Sequence, residues 1–310
     1  MIKNLSIFFI TFLFAFDVCA DVGDDFCKLY EEMPKVYIRE ISVKEIAEKI
    51  LSNLNELDAK IKVGGKSDSL TLYYKGKSWS FLKPVDDNDA NAWCDLSKKV
   101  IAKAEEFSEK FYFADFELSE KVLSKALPLF DKDSKYFGDG LNDANKRLKN
   151  KRLFVARDVG NEEIYIKIGV FNNSTIENLN KVANDYASVS KIVVDLRGNS
   201  GGALETAIMA ADLFLDEGII VSTKNHRDEV ENFYNADEKE IFSGAEMKIL
   251  VDEKTASAAE MFAQALFDQG RAEIEGEETY GKNTLQNLIE LPSGGVAAVT
   301  EAYFRSPSEI

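Results

Sequence analysis

Two stretches of this chain repeat one order of features: a short apolar run, a turn rich in small residues, then a helical pattern. Lys191-Ile-Val-Val-Asp-Leu196 reads as a buried strand, Arg197-Gly-Asn-Ser-Gly-Gly202 as a glycine loop and Ala203 to Phe214 as a helix. Met247 to Val251 reads as a second buried strand, Lys254-Thr-Ala-Ser257 as its turn and Ala258 to Gln269 as an amphipathic helix. A further short strand is expected at Ala272 to Glu275. Strands that feed helices through tight turns place the chain in the α/β class. They also place the turn residues at helix N-termini, where free N–H groups and the positive end of the helix dipole face outward.

Ser257 occupies such a turn. A serine hydroxyl is a poor nucleophile without an adjacent base. The only histidine, His226, lies in the polar stretch Thr223 to Asp228 and reads as a solvated loop residue, which argues against a Ser-His-Asp triad. Lys282 lies in Thr279-Tyr-Gly-Lys-Asn283, and Gln286 follows four residues later. A lysine can act as base when burial lowers its pKa toward neutrality. An uncharged glutamine can orient that lysine without favouring its protonated form as a carboxylate does. Taken singly, Ser257 is a helix cap, Lys282 a surface lysine and Gln286 an exposed strand residue; only the joint pattern points to chemistry.

The Arg197–Gly202 loop lacks the spacing of a P-loop and of Gly-x-Gly-x-x-Gly, so a tetrahedral oxyanion suits it better than a phosphate. Arg197 and Asn199 are expected to brace the loop, and Thr255 to hold its own turn. Asp195 and Asp252 each follow an apolar strand without a partner spacing that suggests catalysis or metal. One histidine and two separated mature cysteines supply no metal cluster, and no cofactor is expected.

Five segments then resemble the carboxyl-terminal processing (tail-specific) serine peptidases: Val194 to Gly202, Ala211 to Gly218, Thr255 to Glu260, Gly281 to Gln286 and Ala302 to Pro307. Their order and spacing match too, over about Ile164 to Ser306. The resemblance implies a crotonase/Clp-protease-like layered ββα core. It implies that Ser257 is the nucleophile, Lys282 its base and Gln286 the group that orients the lysine. It also implies an oxyanion hole built from the N–H of Ala258 and one from the glycine loop, Gly201 or Gly202. Peptides or unfolded proteins would be the substrates. The same family includes retinoid-binding repeats, so a catalytically silent binding protein on this scaffold is the alternative, beside a small-peptide or ester hydrolase.

The rest of the chain bounds that reading. With 310 residues, 45% apolar and 30% charged, it has the composition of one large or two modest globular domains. A net charge of −16 argues against nucleic acid or an anionic membrane surface as a general partner. Lys3, the apolar run Leu5 to Phe16 and the small residues of Val18-Cys-Ala20 form a signal-peptide pattern with cleavage before Asp21. The apolar run is too short to span a bilayer. A periplasmic or otherwise exported protein without stable membrane insertion is therefore expected, and its remaining Cys27 and Cys94 suggest one disulfide.

Residues 21–150 read as a smaller, mostly helical N-terminal domain and residues 151–310 as the catalytic core. In the first, apolar residues recur at Ile46, Ile50, Leu54 and Leu57, a hairpin is expected over Ser69 to Leu82, and helices over Asn88 to Phe111 and Leu118 to Phe130. In the second, strands are expected at Leu153 to Ala156, Glu163 to Val170 and Gly218 to Thr223, with Ser174-Thr-Ile-Glu177 as a capping box. The segment Leu127 to Phe137 resembles the family's run just before its PDZ insertion. Fewer than 30 residues separate Phe137 from Ile164. A PDZ domain of roughly 80 to 90 residues, ordinary for a domain, has no room there. Relatives usually continue past the last Tyr-Phe-like strand, whereas this sequence stops at Ile310.

Overall fold

The computed structural model describes residues 23–111, 115–138, 154–225, 231–237 and 240–310. The expected signal peptide at 1–20, the basic stretch at 146–151 and His226 lie outside the described residues.

The first part of the chain contributes α1 (Asp24–Val36), α2 (Val43–Ser52), α3 (Ala90–Glu105) and α4 (Asp115–Ala126). Between α2 and α3 lies an antiparallel sheet of β1 (Ile61–Gly65), β2 (Ser69–Tyr74) and β3 (Lys77–Leu82), so the expected hairpin gains a third strand. Its β2–β3 turn uses Lys75 and Gly76, both at positive φ, as a two-residue hairpin loop requires. Ser42 caps α2 by accepting the Glu45 N–H, and the apolar spacing read from the sequence puts Ile46, Ile50 and Leu54 in the core. A disulfide joins Cys27 of α1 to Cys94 of α3.

The second part is layered. One sheet has the order β11-β10-β7-β6-β5, with β5 (Phe154–Gly160), β6 (Glu163–Ile168), β7 (Lys191–Asp195), β10 (Glu246–Val251) and β11 (Glu273–Gly276). Its β6, β7, β10 and β11 run parallel, and β5 is antiparallel to β6. Ile192, Val194, Ile249 and Val251 are buried, consistent with central parallel strands covered by helices. The helices are α5 (Asn173–Asp185), α6 (Leu204–Asp212) and α7 (Ala258–Asp268), and the last two pack on each other. Both also pack on β8 (Ile219–Lys224), part of a second sheet ordered β12-β13-β8-β9. The remaining strands of that sheet are β9 (Asn232–Asn235), β12 (Thr284–Glu290) and β13 (Val296–Arg305), with β4 (Lys135–Phe137) paired to β13. Sheet, helices and second sheet enclose one apolar cluster that includes Ile166, Val194, Phe214, Val221, Phe262 and Phe304.

Two details differ from the sequence reading. The cap of α5 is Asn172 rather than Ser174: its side chain accepts the Ser174 N–H, while Thr175 accepts the Asn172 N–H. An asparagine two residues earlier makes the same kind of reciprocal bonds. The second detail is the packing of the β12–β13 hairpin. The cluster built by α1 to α4 also contains Ile289, Leu291, Ala297 and Val299 of the β12–β13 hairpin. The hairpin that follows Lys282 is thus packed on the N-terminal part. Asp25 of α1 reinforces this by accepting the Ser293 N–H at 2.9 Å and its hydroxyl at 2.5 Å. Among the described residues no helix is long and apolar enough to cross a membrane.

Candidate active site

Strand β7 ends at Asp195, whose buried carboxylate begins the architecture of the first loop. Arg197 donates to it through Nε at 3.0 Å and Nη2 at 2.9 Å, Tyr165 through its hydroxyl at 2.5 Å, and Lys167 pairs with it at 3.1 Å. Burial raises this carboxyl's pKa, but the bonds from Arg197, Tyr165 and Lys167 together outweigh it and hold the pKa far below the usual carboxylate range. Asp195 is therefore a fixed anion that anchors the start of the loop. Asn199, fully buried, accepts the Gly201 N–H at 2.8 Å and donates to the Ile168 carbonyl at 3.0 Å. The bracing roles expected for Arg197 and Asn199 are visible in these contacts.

The Ser257 turn is fastened to that loop by a ladder of bonds. Leu196 N–H donates to the Leu250 carbonyl, Gly198 N–H to Asp252 Oδ1, the Thr255 hydroxyl to the Leu196 carbonyl, and Ala256 N–H to the Asn199 carbonyl. Ser257 sits at φ 57°, ψ −124°, immediately before α7. A non-glycine residue in that region carries roughly 1–3 kcal/mol of strain, held here by the surrounding bonds. A strained strand-to-helix turn lifts a serine side chain out of both elements. Its hydroxyl makes no capping bond, and the Glu260 N–H goes to the Ser257 carbonyl oxygen.

Gly201 lies directly against this turn. A Cβ at Gly201 would stand 2.9 Å from the Ala256 carbonyl oxygen and 3.1 Å from both the Ala258 nitrogen and the Ser257 Cβ. Gly202, at φ 139°, pairs with Phe171 in a parallel bridge, where a side chain would collide with the Phe171 backbone. The Gly201 N–H is held by Asn199, whereas those of Gly202 and Ala258 find no acceptor among the described residues.

Lys282 lies between β11 and β12. Its backbone N–H donates to Glu260 Oε2 at 2.9 Å, that of Gly281 to Glu260 Oε1 at 2.6 Å, and that of Ser257 to Glu260 Oε2 at 2.6 Å. One carboxylate thus ties the serine turn to the lysine loop, and Tyr280 N–H adds a bond to the Thr255 carbonyl at 3.0 Å. Among the described residues no hydrogen bond links the Ser257 hydroxyl to the Lys282 amine; their segments meet through Glu260. Glu260 has no role in the sequence motif beyond its place in Thr255 to Glu260, although Ser257-Ala-Ala-Glu260 has the spacing of a capping box.

Lys282 Nζ donates to Gln286 Oε1 at 3.2 Å. The pairing of β12 with β13 is offset between Leu285 and Gln286, a bulge of the kind that re-aims a side chain beside a site. Burial, the largest influence, pushes the Lys282 pKa below the ordinary lysine value. Asp133 pulls it upward, Lys135 pushes it down, and Asp131 and Glu260 pull it upward. The arrangement offers a half-buried amine tending toward neutrality, a hydroxyl on a strained turn and two unpartnered N–H groups at the end of a helix. Among the described residues no group of side chains is arranged to hold a metal ion.

Comparison with known proteins agrees with this part of the chain. A family model described as Peptidase family S41 matches residues 164–309. The "Carboxyl-terminal-processing protease" of Picosynechococcus sp. is 38% identical over 147 residues, covering 46% of this chain and 34% of that protein. The "Carboxyl-terminal-processing peptidase 2, chloroplastic" of Arabidopsis thaliana is 37% identical over 147 residues, covering 46% of this chain and 28% of that protein. The matched region is thus about a third of the length of these curated relatives. In three dimensions the chain is similar to a lipoprotein from Streptococcus agalactiae, with a TM-score of 0.52 at 15% identity over 69% of this chain and 79% of that one, a likeness of fold. Residues 164–309 are thus similar to peptidase family S41, and the curated relatives matched over that stretch are carboxyl-terminal-processing peptidases.

Proposed function

We propose that this protein is an exported serine endopeptidase that hydrolyses peptide bonds in peptides or unfolded proteins through a Ser257–Lys282 dyad. The observation that carries the reading is the strained Ser257 turn, packed on Gly201 and tied through Glu260 to the segment of a half-buried lysine. Neutral Lys282 takes the Ser257 proton as the oxygen attacks the scissile carbonyl carbon. The carbonyl π pair moves onto its oxygen, and the N–H groups of Ala258 and Gly202 stabilise that oxyanion. Collapse expels the amine, which takes the proton from Lys282, and leaves an ester on Ser257. Lys282 then deprotonates a water that attacks the ester, giving a second oxyanion. Its collapse releases the new carboxyl terminus and returns the proton to Ser257. Gln286 keeps the lysine directed by accepting one of its N–H bonds. The Cys27–Cys94 disulfide supports an oxidising, extracytoplasmic compartment.

Digestion of a reduced and alkylated protein by the wild type, beside Ser257→Ala, tests the reading. The variant is expected to lose at least about 10³-fold in kcat, the scale of losing a nucleophile, with an unchanged melting temperature. Equal turnover by the two preparations sinks the peptidase assignment and leaves a binding protein on the same scaffold.

A further inference from the structure

The turn Asp131 to Ser134 comes from the N-terminal part of the chain, yet it grips both strands beside the lysine. Asp131 accepts the N–H of Asp133 and of Ser134, the hydroxyls of Ser134 and Tyr37, and the Thr300 hydroxyl at 2.8 Å. The Ser134 hydroxyl oxygen in turn accepts the Thr300 N–H at 3.1 Å. Thr300 is the register partner of Gln286, at the bulge itself. Asp133, only 3% exposed, accepts the Thr284 hydroxyl on its carboxylate at 2.8 Å, and its carbonyl accepts the Gln286 side-chain N–H. That second bond decides which way the Gln286 amide faces. With Nε2 held by the Asp133 carbonyl, Oε1 is left toward Lys282 Nζ.

We propose that Asp133 is a positioning residue for the Lys282 base: its carbonyl fixes the orientation of the Gln286 amide, and its carboxylate, anchored by Thr284, holds a buried negative charge beside the strand segment that steers the lysine. This rests on the dyad reading above. The charged groups facing the lysine are Asp133, Asp131 and Glu260, which favour its protonated form, and Lys135, which opposes it. An amide in place of the Asp133 carboxylate keeps the backbone carbonyl and an acceptor for Thr284, and removes one negative charge. The protonated lysine loses that support and releases its proton at lower pH.

The test uses the full chain with Asp133→Asn and Thr284→Val. The rate of cleavage of an internally quenched peptide is followed against pH. In parallel, reductive methylation of Lys282, which requires the neutral amine, is read by mass spectrometry over the same range. For Asp133→Asn the rising limb of kcat/KM and the methylation curve should both move to lower pH, so that the variant exceeds the wild type on the acid side. A merely weakened fold does not produce that gain. Thr284→Val, nearly isosteric, should lower kcat by about 10- to 100-fold with little change in KM, as expected when a catalytic group is misplaced by about 1 Å. Unmoved curves for a folded Asp133→Asn overturn the proposal. If that variant does not fold, wild-type kcat in Thr284→Val overturns it. If the wild type cleaves nothing, the dyad reading fails, and the methylation curves alone decide whether Asp133 acts on Lys282.

Discussion

At the scale of single residues, the protonation state of one lysine governs the proposed chemistry. Burial lowers the Lys282 pKa, with the Asp133, Asp131 and Glu260 carboxylates acting against it and Lys135 with it. Only the neutral amine can take the serine proton. Activity in kcat/KM is therefore absent where the lysine is charged and rises with pH through its pKa in the free enzyme. That limb should lie below the ordinary lysine value of about 10.4. Lys282→Arg should be inactive across the whole range, since a guanidinium stays protonated. Rate–pH profiles of both proteins check this, and measurable activity in the arginine variant would count against a lysine base. Ser257, Lys282 and Gln286 are legible as candidates in the sequence because each sits in a short local pattern. The roles of Glu260 and Asp133 are not, with one exception: the capping-box spacing marks Glu260. Asp133 meets Thr284 and Gln286 across 151 and 153 residues of chain, and no local pattern encodes such a contact.

Among the elements, the decisive feature is the seam between two strand-to-helix turns. The glycine loop after β7 and the serine turn after β10 lie side by side because β7 and β10 are parallel neighbours. Their loops consequently emerge at the same sheet edge, where ligands of open α/β sheets bind. Gly201 lets them touch. Gly201→Ala must place a Cβ 2.9 Å from the Ala256 carbonyl oxygen at φ 105°, a backbone region that costs a side chain roughly 1–3 kcal/mol. The turn that holds Ser257 has to shift in response. We expect Gly201→Ala to lose about 10²-fold or more in kcat and to lower the melting temperature, as read by single-turnover acylation and thermal denaturation. Gly198, which faces open space, makes a control: Gly198→Ala meets a positive φ without the collision and should retain more activity. Strands and helices here follow apolar period closely enough to be read in advance, including β7, β10, α6 and α7. The bulge at Gln286 and the bridge between Phe171 and Gly202 are set by pairing partners far along the chain and could not be.

For the whole molecule, the N-terminal part supports the site as well as preceding it in sequence. Helices α1 to α4 share their apolar cluster with the β12–β13 hairpin, and the Asp131–Ser134 turn holds the hairpin at Gln286 and Thr300. The Cys27–Cys94 disulfide closes 67 residues of chain inside that cluster. Its removal in Cys27→Ser/Cys94→Ser should destabilise the fold by about 2–5 kcal/mol, the usual range for a native disulfide. Because the hairpin belongs to the same cluster, peptidase activity should fall along the same temperature curve as the unfolding signal. Parallel melts and activity assays check this; full activity above the melting transition of the N-terminal part would show that the two halves are independent. The α/β class, the two loop–helix turns, the candidate residues Ser257, Lys282 and Gln286 and the Cys27–Cys94 pairing follow from the chain alone, because each rests on local period, local turn chemistry or a count of residue types. Folding in three dimensions alone puts the β12–β13 hairpin into the apolar cluster of α1 to α4 and brings Glu260 and Asp133 onto the segment that carries Lys282 and Gln286. Those outcomes depend on which apolar faces cover one another and on hydrogen bonds between residues remote in sequence, and neither leaves a periodic trace in the chain.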